Sequence, residues 1–110
     1  MQNPENNARY ADIDAVPDAV AAAAFRRLVR HLQHRHDAQN IDLMGLAGFC
    51  RNCLADWVSA ADGNAMDKAE ARRLIHGMDF SEWKQRYQTE ASEEQLHRMQ
   101  ESVAKNADSH

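Results

Sequence analysis

At 110 residues the chain has room for one domain, with a modest core that needs no disulfide staples. A net charge of −4 and a pI near 5.8 exclude broad, salt-driven nucleic-acid binding, which requires a surplus of Lys and Arg to displace counterions from phosphates. No apolar run approaches the roughly 20 residues of a membrane span. The short run from Val20 to Phe25 follows Asp12, Asp14, Pro17 and Asp18, where a signal peptide would carry a basic segment, so the expected location is the cytoplasm.

Met1 to Val16 is polar, Asn-rich and acidic with no stable apolar period, and reads as a flexible arm. Residues 17–105 read as one all-α domain, and residues 106–110 as a frayed tail. Pro17 suits a helix start. From there Ala21, Phe25, Leu28, Val29 and Leu32 gather on one side of a 3.6-residue wheel, which predicts an amphipathic first helix to about Arg35. Its other side carries Arg26, Arg27, Arg30, His34 and Arg35, a basic face that solvent can cover or an acidic partner can dock on. After a turn at Asp37 to Asn40, with Asn40 as N-cap, a second helix is expected to run to about Ala61.

That second helix has two unlike faces. Leu43, Leu46, Ala47, Cys50, Leu54, Trp57, Val58 and Ala61 share an apolar arc, while Gly45, Gly48, Asn52, Ala55 and Ser59 lie opposite. An interior helical glycine costs about 1 kcal/mol relative to alanine, so Gly45 and Gly48 predict a close backbone approach by another helix, in the chain or across a dimer interface. Three later starts carry capping-box or related spacing: Asp67 with Glu70, Asp79 with Glu82, and Ser92 with Gln95. Gly77 is a natural C-terminal stop. Phe80, Trp83 and Tyr87 form one stripe, and Leu96, Met99 and Val103 another. The fold class is all-α, a compact array of about five short helices around a central Cys-x-x-Cys helix.

The run QNIDLMGLAGFCRNCLADW, preceded by FRRLVRHL and followed by GM, EW and QTEASEEQ, resembles the short bacterial proteins of the domain-of-unknown-function family numbered twelve forty-four. The likeness covers about Phe25 to Gln95 and implies a small all-α domain without an assigned activity. The chain departs at Gly45, where the family usually has Asn, at Val58, where Tyr is usual, and at Asp79-Phe80, where Pro-Tyr is usual.

Cys50 and Cys53 concentrate the possible chemistry. Cysteines of a cytoplasmic protein are kept reduced, which leaves packing, metal binding or redox activity. Cys50 falls near the middle of the apolar arc, as a small buried hydrophobe would. A zinc site would use Cys50, Cys53 and His31 and still lack a fourth protein ligand. A dithiol redox site would use the two cysteines as attacking and resolving thiols with help from Arg51, yet two turns of preceding helix would remove the benefit of the dipole. All-α peroxidase-like proteins carry a histidine four residues beyond the second cysteine, and here that residue is Trp57. No catalytic constellation is complete. The reading is an interaction or regulatory module without catalytic activity, with a homodimer and a protein partner expected and with neither nucleic acid nor membrane; the alternative is a zinc or dithiol protein using Cys50 and Cys53.

Overall fold

Helix starts and stops account for most of the architecture. The computed structural model describes residues 9–108. Among them are six α-helices and no strand: α1 (Asp18–His34), α2 (Asn40–Ala47), α3 (Arg51–Ala61), α4 (Lys68–His76), α5 (Phe80–Tyr87) and α6 (Glu93–Ala104). Short 3-10 turns at Ile13–Ala15 and Lys105–Asp108 flank them. Most of the expected arm, residues 1–8, lies outside the described residues. None of the helices is long and apolar enough to cross a membrane.

Pro17 is the N-cap of α1, and α1 ends at His34, close to the expected limits. Asp67 accepts from the Glu70 amide at 2.8 Å, and Ser92 and Gln95 close a reciprocal capping box at 3.1 and 2.8 Å. Asp79 occupies the N-cap of α5 without a side-chain cap bond. Gly77 ends α4 in the left-handed conformation at φ 81°.

The expected single helix from Asn40 to Ala61 is in fact two helices, which makes six instead of five. Gly48 adopts φ 77° and donates its N–H to Met44 O at 2.9 Å, closing α2 as a glycine C-cap does. Cys50 is then extended (φ −145°, ψ −172°) and becomes the N-cap of α3. The break is fastened from afar, because Asn106 Nδ2 donates to Gly48 O at 2.8 Å; the tail expected to fray from residue 106 is tied down at this point. A Cβ at Gly48 would lie 2.5 Å from Asn106 Oδ1. The apolar arc drawn across the break is broken with it: Leu46 is 80% exposed and Trp57 51%.

The core lies among α1, α3 and α4, where Leu32, Leu54, Ala55, Ala71 and Ile75 are buried and Phe25, Val29, Val58 and Met66 pack around them. Helix α2 packs chiefly on α6. Gly45 supplies the close approach there, since a Cβ would meet Arg98 Cγ and Cδ at 3.2 Å. The contact expected of Gly45 is thus met within the chain, whereas Gly48 serves as a stop.

Gly48→Ala is expected to destabilise the fold by roughly 2 kcal/mol, through left-handed strain and displacement of Asn106. Gly45→Ala, helical and facing a flexible arginine, should stay within about 1 kcal/mol of the parent. Urea denaturation of the two variants checks both, and equal losses would contradict the assignment of the break.

Candidate functional site

Because α3 begins at Arg51, its side chain projects back into the junction between α1, α2 and α5. There it is completely buried. Nη1 donates to Ala38 O at 2.7 Å and Asn40 Oδ1 at 3.0 Å; Nη2 donates to Leu32 O at 3.1 Å and Arg35 O at 2.7 Å. Leu32 lies in the last turn of α1 and Arg35 is its C-cap, so the cation sits on the negative end of a helix dipole, and the two carbonyls accept from it in addition to the amides of Arg35 and Ala38. The guanidinium also lies 5.1 Å from the ring centroid of Trp83, itself fully buried. It makes no salt bridge among the described residues. Burial therefore lowers its pKa from the ordinary value.

Arginine only donates, and that fixes the protons around it. With its oxygen facing Arg51, Asn40 presents Nδ2 to His76 Nε2 at 3.5 Å, so Nε2 carries the lone pair; His76 Nδ1 then donates to Arg72 O at 2.8 Å. Trp83 Nε1 donates to His36 Nδ1 at 3.1 Å, which makes that nitrogen an acceptor too. His36 stacks on Tyr87 with ring centroids 3.9 Å apart and planes at 7°. Both imidazoles are neutral in this arrangement. Burial, with Arg51 as a nearby cation, pushes both pKa values down. The aromatic stripe of α5 is thus a core element at Trp83. Asn40, expected as an N-cap, is the first residue of α2 after Gln39 and serves the arginine instead.

Two glutamines fasten the surrounding helices. Gln39 Nε2 donates to Tyr87 O at 2.7 Å and its Oε1 accepts from Thr89 N at 3.1 Å, while Gln95 Nε2 donates to Asp42 Oδ1 at 2.9 Å. Asp42, in the first turn of α2, is thereby tied to α6.

The helix break relocates the cysteines. Instead of lying two turns inside a helix, Cys50 caps α3 and Cys53 sits in its first turn, within reach of the dipole. Burial nonetheless pushes the Cys50 thiol up, against the amides of Asn52 and Cys53 that hold it down. Cys50 is buried, as a packing residue would be, while Cys53 is half-buried and its Sγ lies 3.8 Å from Met44 Sδ. His31 is exposed on α1, and among the described residues no three His, Cys, Asp or Glu side chains gather into a metal-binding group. The combination of Cys50, Cys53 and His31 proposed for zinc is not assembled.

Residues 38–101, more than half of the chain, match the profile of a protein family of unknown function, DUF1244. The chain belongs to the DUF1244 family. No curated protein matches it by sequence. The DUF1244 match contains Asn40, Arg51, His76 and Trp83, while all of α1, with Arg35 and His36 after it, precedes the match and supplies the rest of the network. Sequence reasoning treated Arg51 only as a cation beside the cysteines. The available signal was its position, one residue past Cys50 in an apolar run, which a charged residue reaches only with partners.

Both histidines have folded pKa values below the ordinary 6.5, so the stability they confer is present above that pH and is lost as pH falls through the folded values. The urea midpoint should therefore drop on acidification below about pH 6.5, and His76→Gln should flatten that limb. Arg51→Met leaves the carbonyls of Leu32, Arg35 and Ala38 without this donor and is expected to cost on the order of 3 kcal/mol. A stability within error of the parent would remove Arg51 from its central place.

Proposed function

We propose that the protein is a non-catalytic interaction module that self-associates, with two copies meeting antiparallel along α1. The observation that carries this reading is the exposed apolar face of that helix, with Val20, Ala24 and Leu28, beside an apolar groove. The groove, about 460 Å³, runs between Phe25 and Val29 of α1, Val58 of α3 and Leu74 of α4, with Arg26 and Arg30 on its rim. The same helix begins at Asp18, preceded by Asp12 and Asp14, and ends in the basic stretch holding Arg26, Arg27 and Arg30. None of these groups enters a salt bridge among the described residues.

A second copy fits this surface better than an unrelated partner does. Ala24 is midway between Val20 and Leu28, and Ala21 to Ala24 offer a small-residue segment for close approach. An antiparallel pair crossing at Ala24 sets each Val20 beside the partner's Leu28, because Val20, Ala24 and Leu28 share one exposed face of α1. That is the self-complementarity a two-fold interface needs. Val20 and Leu28, each partly exposed, supply apolar area around the crossing.

Burying an apolar side chain contributes about 1.5–3 kcal/mol, and a two-fold axis applies every substitution twice. Val20→Glu or Leu28→Glu alone should weaken association by about tenfold or more. Sedimentation equilibrium over a concentration series reads the effect. A parent that stays monomeric throughout, or single substitutions without effect, would contradict the proposal.

A further inference from the structure

We propose that Cys50, Cys53 and Met44 form a three-sulfur site for copper(I) at the junction where α2 ends and α3 begins. The site depends on the break at Gly48. In a continuous helix the two cysteines would share one flank, whereas the turn folds Met44, in the last turn of α2, back against the first turn of α3. Its Sδ lies 3.8 Å from Cys53 Sγ, and Cys50, the N-cap three residues before Cys53, belongs to the same first turn of α3. Metal–sulfur bonds of about 2.3 Å space the donors of a trigonal plane by roughly 4 Å. The Met44–Cys53 edge has that spacing.

Donor chemistry selects the metal. Two thiolates and a thioether are soft ligands, which suit monovalent copper, while zinc completes four positions with further cysteine, histidine or carboxylate donors. Among the described residues no third group of that kind joins the pair. Charge selects it as well. Binding releases the two thiol protons, so dithiol plus Cu(I) becomes a complex of net charge −1, with no change of oxidation state. Arg51, next to Cys50 in sequence, carries a buried positive charge that no salt bridge offsets among the described residues. The N-terminus of α3 adds favourable dipole potential. Met44 and Cys53 are half-buried and Cys50 buried, which leaves an approach for the ion from the Met44 side and keeps the third donor shielded.

The test is anaerobic titration of the reduced, metal-free protein with Cu(I) in competition with bathocuproine disulfonate, with native mass spectrometry to count bound ions and circular dichroism to confirm folding. The parent should take one copper per chain. Cys50→Ser and Cys53→Ser should abolish binding, and Met44→Leu, which keeps the side-chain volume, should weaken it by about tenfold or more. Affinity should fall as pH is lowered, because protons compete for the thiolates. Failure to bind copper above a Cys50→Ser/Cys53→Ser double variant would overturn the proposal. So would Met44→Leu binding like the parent, or zinc(II) binding as tightly as copper(I).

Discussion

The Arg51 guanidinium is held almost wholly by neutral oxygens, and the relative placement of α1, α2, α3 and α5 follows from that arrangement. A desolvated cation is costly by several kcal/mol unless its donors are all engaged, so the chain segments supplying the acceptors cannot drift independently. Carbonyls of Leu32 and Arg35 fix the end of α1, that of Ala38 the following turn, and Asn40 the start of α2. Trp83 closes the site from α5. Burial, with the same cation nearby, favours the neutral forms of His36 and His76, and those histidines in turn hold Trp83 and Asn40. Each part requires the others, which is the behaviour expected of a fully satisfied buried polar network.

Local signals carried much of this fold. Pro17, Asp67, Gly77 and the Ser92–Gln95 pair all act at helix ends as their chemistry suggests, because capping is decided within four residues of chain. The break at Gly48 was hidden for the opposite reason. Apolar spacing continues through it, Cys50 is not a typical cap, and the residue that fastens the turn, Asn106, is 58 positions away. Reading Gly48 as a helix-contact residue followed from period alone; the left-handed stop was settled by tertiary context.

The candidate site was legible only in outline. The cysteine pair is conspicuous in sequence, but the burial of Arg51 depends on where distant residues place the carbonyls of Leu32, Arg35 and Ala38 and the side chain of Asn40. His31 shows the converse: its position near an apolar stripe suggested a ligand, while the helix exposes it. At Cys50 two effects oppose each other, the favourable helix terminus and the cost of burial, and burial prevails in the metal-free protein. A bound cation would change that balance by replacing two protons.

The molecule divides its tasks by exposure. Residues 38–101, the part matched to the family, supply Arg51, Asn40, His76 and Trp83, whereas α1 is anchored at its C-terminal end, where the carbonyls of Leu32 and Arg35 meet Arg51, and presents its acidic start and basic middle to solvent. Gln33 reinforces the anchor by donating to Leu74 O and Ile75 O at the end of α4. A rigid attachment at one end with an unpaired face at the other is well suited to association.

The buried arginine is the central claim, and side-chain nitrogen-15 NMR of the guanidinium groups tests it most directly. One arginine, assigned to Arg51 by its loss in Arg51→Met, should give separate, slowly exchanging Nη resonances with hydrogen-bond couplings to the carbonyls of Leu32, Arg35 and Ala38. Rapid rotation and solvent exchange at every arginine would contradict the account.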